Sequence, residues 1–303
     1  MNIENSLNIL SNSKREEERF DKEFLTKNLS IDKKKSVLGL DILGYSQFGN
    51  VEQYYIPILF NLLVKSTIKD IFHHEKYIFQ TYDHVKIKEN FIDTGDGGFF
   101  IFDTPLHSIL FALYFECNLR HYNIGTYNKE IFKLIGHLKI RYGISYDIVY
   151  FQNELRNFYG AGIINCSRMM AKDKLDRCII DENTYQWFLK NTNGIESLRN
   201  YHIHKITKIP EFKNYIFDEK DYKVSGYSSY AIPEIKTTYE PGIDLINIMK
   251  IGSLKVKKSE ISVYNLLIQL PTKIDERFKD LNTYEDEFMV VSLGNNNTEG
   301  LAN

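Results

Sequence analysis

Short apolar runs alternate along this chain with stretches in which apolar residues recur every three or four positions, a pattern that predicts strands interleaved with amphipathic helices. Ser36 to Leu43 (SVLGLDIL) is an apolar run broken by one acid, as in a buried strand with a polar residue at its exit. From Val51 to His73 the apolar positions Ile56, Leu59, Phe60, Leu63, Val64, Ile68 and Ile71 share one helical face, which predicts a helix packed on that strand. Asn90 to Phe102 holds two apolar runs split by Asp-Thr-Gly-Asp-Gly-Gly, the turn chemistry of a hairpin with acids at its tip. A second helix is expected from Leu106 to His121, entered after Asp103-Thr104-Pro105. Leu138 to Tyr150 alternates as a strand, and Gly160 to Ala171 continues as a helix.

The order β-α-β-β-α-β-α matches the split βαβ, ferredoxin-like motif, so the expected fold class is α+β, a sheet carrying helices on one face. A helix over Glu182 to Leu189 and a strand ending in His202-Ile203-His204-Lys205 would close this core, giving a domain over 36–208. Residues 1–35 are polar and charge-rich and are expected to form an N-terminal helical arm, with helical character around Glu16 to Leu25. Residues 209–303 carry Pro210, Pro233, Pro241 and Pro271 and a strand-like stretch from Ile261 to Leu270. They are expected to form a C-terminal β-rich extension whose last dozen residues (SLGNNNTEGLAN) fray.

Charge narrows the function classes. Lys plus Arg number 38 against 40 for Asp plus Glu, a net −2, so no net field gathers nucleic acid or an anionic membrane. The longest apolar stretch, Tyr54 to Val64, is interrupted by Pro57 and Asn61 and is well short of the roughly 20 residues that span a bilayer. Lys14 to Arg19 holds no apolar core of a secretory signal. Cys117, Cys166 and Cys178 form no CxxC pair, which suits buried apolar roles in a reducing compartment. The expectation is a cytoplasmic protein with neither nucleic acid nor membrane as partner.

Two acids sit where a strand or hairpin ends in flexible backbone: Asp41 in LDILGYS and Asp96 in TGDGG. In a ferredoxin-like sheet the first strand and the central hairpin are neighbours, so both carboxylates can face one site. Hard divalent cations on nucleotides take a few carboxylates plus phosphate oxygens and water. Taken singly, Asp96 is equally a turn former and Asp41 a strand-end cap. His73 and His74 point to different faces of a helix, and His202 and His204 lack a third ligand. No P-loop is present, and Gly160-Ala161-Gly162 lacks the third glycine of a dinucleotide fingerprint.

The ordered set of segments resembles the class III nucleotidyl cyclases, the catalytic domains of adenylyl and guanylyl cyclases, over roughly residues 36–205. Asp41-Ile42-Leu43-Gly44-Tyr45-Ser46 resembles the first metal motif, Asp-Ile-x-Gly-[Phe/Tyr]-[Ser/Thr], and Thr94-Gly95-Asp96-Gly97 the second. Arg141-Tyr142-Gly143-Ile144 is similar to the strand before the catalytic helix, and Gly160 to Arg168 to the Gly-x-x-x-Asn-x-[Ala/Ser]-x-Arg segment. By this resemblance Asp41 and Asp96 hold two Mg²⁺ or Mn²⁺ ions per active site, and Ile42 lends its backbone carbonyl. Arg168 steadies the transition state in which a ribose 3′-hydroxyl attacks the α-phosphorus and pyrophosphate leaves. The resemblance also implies a homodimer with shared active sites and a nucleoside triphosphate substrate.

Departures from the family pattern shape the substrate expectation. The asparagine that orients the ribose falls on Ile164, with Asn165 one place later as the substitute, and the phosphate-binding lysine falls near Lys205. The base-reading positions hold Ile92 and Asn157 where purine cyclases carry Lys and Asp, or Glu and a small polar residue. An isoleucine side chain can neither donate nor accept, so the purine-edge contact is missing. With these positions the chain is similar to the stand-alone pyrimidine cyclases of bacterial antiphage Pycsar systems, which make cyclic UMP or cyclic CMP for a separate effector protein. Tyr45, Tyr54 and Tyr55 follow the first metal motif and are candidates to narrow the base pocket. The rival expectations are a degenerate cyclase fold that binds a nucleotide or partner without catalysis, suggested by Ile164 and Ser145 to Asp147, a purine cyclase, and a structural protein with coincidental turns.

Overall fold

The computed structural model describes residues 33–125, 129–200, 203–216, 245–256, 259–273 and 288–301. The first apolar run becomes β1 (Lys34–Ile42), the middle strand of the sheet, and it starts two residues before the sequence pattern suggested. It pairs antiparallel with β3 (Gly97–Phe102) on one side and β4 (Ile140–Ile148) on the other. β2 (Phe91–Asp93) flanks β3, and β7 (Cys178–Asp181) lies parallel to β4, giving the order β7-β4-β1-β3-β2. This is the α+β arrangement the βαββαβ order predicts, with one strand added and with helices on both faces of the sheet rather than on one. Helix α1 (Asn50–His74) joins β1 to the hairpin, and α3 (Pro105–Asn123) joins the hairpin to β4.

Strand periodicity divides the burial. Leu38, Leu40 and Ile42 of β1 join the large core with α1 and α3, whereas Val37 joins the smaller core under α5 (Ala161–Lys172) on the opposite face. Two glycines set how closely α5 lies. A Cβ at Gly39 would stand 2.3 Å from the Met170 sulfur, and one at Gly143, its partner across β1 and β4, 2.6 Å from Met170 Cγ. That close seat brings the C-terminal turn of α5 to the ends of β1 and β4.

Several elements were not expected from the sequence. These are α2 (His84–Glu89), α4 (Lys129–Ile135), the two-stranded hairpin β5 (Tyr150–Gln152) and β6 (Asn157–Tyr159), and β7. α6 (Glu182–Thr192) follows β7 and is capped by Asp181, whose carboxylate accepts the Thr184 N–H at 2.7 Å. Residues 203–205, expected as the end of a strand, lie in a 3-10 helix (Ile203–Lys208), one of three such turns among the described residues between Ile195 and Phe212. The expected arm lies outside the described residues except for 33–35. In the 209–303 region β8 (Leu245–Val256), β9 (Ser259–Lys273) and β10 (Phe288–Leu293) continue the core sheet, because β9 pairs with β7 through Cys178↔Leu266 to Asp181↔Val263. The tail was expected to fray, yet residues 295–299 are hydrogen-bonded to the core. No helix among the described residues is long and apolar enough to cross a membrane, and all three cysteines are buried.

His107 of α3 is fully buried between a hydroxyl and a carbonyl. Its Nε2 donates to the Ile78 carbonyl at 2.8 Å, and its Nδ1 accepts from the Thr104 hydroxyl at 2.8 Å, which fixes the neutral tautomer. Burial lowers its pKa from 6.5 to about 4. The unfolded chain therefore binds this proton more readily, so stability is complete above about pH 6.5 and is lost as pH falls toward 4, by ~3 kcal/mol. Urea unfolding between pH 7 and pH 4 should record this loss, and His107→Gln should lack it; equal slopes in the two chains would mean that the folded imidazole carries a proton.

Candidate active site

The two motif acids meet because β1 and β3 approach unusually closely at one end. Asp41 faces Gly97 in the register, and the Ile42 N–H donates to the Asp96 carbonyl at 2.9 Å. A Cβ at position 97 would stand 2.0 Å from the Leu40 carbonyl oxygen, so only glycine permits the approach. The turn is held from within: the Asp93 carboxylate accepts the Gly95 N–H at 2.7 Å, and Gly95 sits at φ 92°. Thus Thr94-Gly95-Asp96-Gly97 forms a tight hairpin tip leaning on the exit of β1.

Asp41 is 21% exposed and lies opposite Arg141 of β4, whose Nε donates to Oδ2 at 2.7 Å while Nη2 donates to the same oxygen. Burial raises the Asp41 pKa, the Arg141 guanidinium opposes that rise, and the Asp96 charge adds to it. Among the described residues no hydrogen bond reaches Asp41 Oδ1 or Asp96 Oδ2, since Asp96 Oδ1 takes the Thr94 hydroxyl at 3.3 Å. Two open carboxylate oxygens, one at the end of β1 and one at the adjoining hairpin tip, in a partly desolvated and mutually repulsive pair, fit a hard divalent cation that completes its shell with phosphate and water. They do not form a closed protein cage, and no cluster of three or more His, Cys, Asp or Glu is found among the described residues. Ile42 belongs here through its main chain alone, its side chain being buried.

Arg141 is the residue that sequence reasoning left without a role. The signal was register: only the pairing of β1 with β4 sets it against Asp41. Its Nη1 donates to the Asp173 carbonyl at 2.5 Å and the Met170 carbonyl at 3.3 Å, so one planar guanidinium joins Asp41 to the end of α5.

The remaining expected residues divide. Arg168 is exposed on α5 and makes no hydrogen bond or ion pair among the described residues; it shares the outward stripe with Ile164, which is 49% exposed. Asn165 points the other way. It is 3% exposed, its Nδ2 donates to Asp147 Oδ2 at 3.0 Å, and its Oδ1 is buried without a partner. α5 is a regular helix here, so the shift that would bring Asn165 onto the Arg168 face does not occur. Ile92 packs on the small core under α5 together with Phe158, and Asn157, next to Phe158 on β6, accepts the Phe158 N–H through Oδ1 at 2.8 Å. Both expected base-reading positions therefore border the α5 face.

Lys205 does not come near the acids. It lies on a 3-10 turn against Lys190, Asn191 and Thr192 in a pocket of about 510 Å³, on the α1 side of the sheet where Ile206 and Phe188 pack. The expected strand that would have carried it forward is absent. His73 and His74 stack edge-on at 4.6 Å, and His202 and the side chain of His204 lie outside the described residues.

Tyr45 has a structural occupation. Pro57 lies inside α1 and cannot supply the N–H that the Gln53 carbonyl would receive four residues on. The Tyr45 hydroxyl donates to that carbonyl instead, at 3.1 Å. Tyr54, 70% exposed on the first turns of α1, packs edge-on against Tyr55 and remains accessible. Tyr45→Phe is expected to cost ~1 kcal/mol because the Gln53 carbonyl loses its donor. In a Pro57→Ala background, where the new main-chain N–H restores the helical bond, the cost should fall to a few tenths; denaturant unfolding of the four chains gives the coupling, and additive costs would separate the two residues.

No protein-family model matches the sequence, and no curated protein matches it. Solved structures align with part of it. An adenylate/guanylate cyclase/hydrolase from Silicibacter pomeroyi aligns with TM-score 0.43 at 13% identity over 77% of this chain and 96% of its own. The adenylyl cyclase CyaB from P. aeruginosa aligns with TM-score 0.41 at 14% identity, over 82% and 97%. The guanylate cyclase domain of RhGC from Catenaria anguillulae, in complex with GTP, aligns with TM-score 0.43 at 12% identity, over 77% and 96%. At these scores the reading of the site rests on the residues described above.

Proposed function

We propose that this chain is a nucleotidyl cyclase that converts a nucleoside triphosphate, with UTP or CTP favoured, into its 3′,5′-cyclic monophosphate and pyrophosphate. The observation that carries the reading is the junction of Asp41 on β1 with Asp96 at the adjoining hairpin tip, through the Ile42 N–H. Asp41 and Asp96 would hold Mg²⁺ or Mn²⁺ with the substrate phosphates, and the metal would supply acidity to the attacking hydroxyl and charge for the leaving pyrophosphate. Arg141 holds one oxygen of Asp41 and leaves the other directed to that cation. Arg168 would neutralise charge gathering on the α-phosphate oxygens.

A homodimer follows from where the parts lie. The acids are at the exit of β1, while Lys33, Lys35, Arg156 and Phe158 of a cleft of about 870 Å³ lie toward its start, about 20 Å away. Arg168 faces outward beside the exposed Ile164, and Phe151, Leu155 and Tyr159 of the β5–β6 hairpin also expose apolar surface. An antiparallel second copy would cover that surface and bring each cationic, Arg-bearing half to the other copy's acids. Ile92 and Asn157 support a single-ring base, since Ile92 cannot read a purine edge. The product would then be a second messenger read by a separate effector protein, as in antiphage signalling.

A second reading is a nucleotide-binding protein without turnover. It is favoured by Asn165, which is spent on Asp147 and leaves Ile164 as the outward neighbour of Arg168.

Incubation with Mg²⁺ or Mn²⁺ and each ribonucleoside triphosphate, with mass spectrometry of the product, separates these. Cyclic UMP or cyclic CMP is expected; cyclisation of ATP or GTP alone would overturn the pocket argument, and no product at all would leave the binding reading. Asp41→Ala should lower turnover by about 10³-fold or more, and Arg168→Ala by about 10²- to 10³-fold. Mixing the two inactive variants should restore about a quarter of wild-type activity, because half of the dimers are mixed and each has one intact site. A mixture that stays inactive would sink the shared site.

A further inference from the structure

The C-terminal tail reaches the acid site through a buried guanidinium. Arg177, 1% exposed, lies on the link between α5 and β7. Its Nε donates to Asp173 Oδ1 at 2.9 Å and its Nη2 to the same oxygen at 2.5 Å. Its Nη1 donates to two tail carbonyls, Asn297 at 3.2 Å and Glu299 at 2.6 Å. Asp173 is equally buried, and its Oδ2 has no partner, so Arg177 is its counter-charge. The main-chain carbonyl of the same Asp173 receives Arg141, which grips Asp41 with its remaining N–H groups.

The tail is seated independently of Arg177. Asn265 Nδ2 donates to the Asn295 carbonyl at 2.8 Å and the Asn297 carbonyl at 3.1 Å. Asn295 Nδ2 donates to the Asp176 carbonyl at 2.9 Å and its carboxylate at 3.0 Å. The turn into the tail needs Gly294: φ is 79°, and a Cβ would stand 2.2 Å from the Leu266 carbonyl oxygen.

We propose that residues 294–301 form a brace that sets the position of Asp41, with Arg177 and Asp173 as positioning residues and Arg141 as the lever. The tail carbonyls complete the hydrogen bonding of Arg177 and keep water from the Arg177–Asp173 pair. That pair fixes the Asp173 carbonyl, and this carbonyl fixes the angle of the rigid guanidinium that holds Asp41 Oδ2. Release of the tail lets water reach Arg177, loosens the end of α5 and frees Arg141 to turn, so that Asp41 no longer offers Oδ1 in one place. The inference rests on Asp41 being a metal carboxylate.

The test uses the full chain with Asn265→Ala, which removes two of the tail's anchors, and with Gly294→Ala, which displaces the turn into the tail where it rests on Leu266 and on Cys178 beside Arg177. Amide hydrogen exchange should quicken about tenfold at 170–177 and at 40–43, with α3 unchanged. The Mn²⁺ concentration giving half-maximal turnover should rise about tenfold, while turnover at saturating Mn²⁺ stays within about threefold. Faster exchange confined to 288–301, with 40–43 and the Mn²⁺ curve unmoved, would overturn the brace. If the wild-type chain cyclises no triphosphate, the proposed function fails, and the exchange at 40–43 still decides the brace. Should Gly294→Ala not fold, Asn265→Ala carries the same readouts.

Discussion

One main-chain hydrogen bond, from the Ile42 N–H to the Asp96 carbonyl, joins the end of β1 to the hairpin tip and makes the candidate site. A strand pair in correct register is a rigid gauge, because a slip of one residue turns every side chain to the other face. Had β3 shifted by one place against β1, Asp41 would still end its strand, but the hairpin tip would carry its acid elsewhere. Gly97 secures the register by excluding a side chain at the tightest point, and the hydrophobic faces of β1 secure it over the rest of its length. Tip and core therefore demand the same alignment, the agreement between levels that marks a well-specified fold.

The electrostatics of the site follow from this closeness. Desolvation and the neighbouring charge make Asp41 costly to ionise, and Arg141 offsets that cost while occupying one oxygen. An acid left wholly unpaired would take a proton, and one gripped at both oxygens would refuse a cation. A single-oxygen grip by a guanidinium whose third arm is fastened to backbone lies between these limits.

The central sheet was legible because its strands and helices have opposite periodicities: SVLGLDIL, the hairpin and the helices flanking it needed only pattern. What was missed has local reasons. β5, β6 and β7 are three or four residues long, too short to show a period, and β7 is recognisable only as a strand between α5 and the cap Asp181. The stretch from His202 to Lys205 reads as strand by composition, but its described part, from Ile203, lies in a 3-10 helix just before the Ile209-Pro210 step. Among site residues, Asp41 and Asp96 were visible as acids at turn-rich strand ends. Arg141 was invisible in its role, since nothing within its own segment says which strand lies opposite. Asn165 was misread because helix phase decides its direction: Cys166 and Met169 face the sheet and take Asn165 with them. The tail looked soluble and loose because most of its anchors are carbonyls, which every residue has.

The exchange between Pro57 and Tyr45 has a consequence for descent. A carbonyl stranded by the proline and a phenol that serves it tie two positions into one heritable unit, and change at them has a direction. A lineage that discards the proline first releases the phenol to acquire new uses at no penalty to the helix, whereas one that discards the phenol first must survive a weakened ancestor. Relatives of this chain should therefore differ at the tyrosine mainly where the proline has already gone.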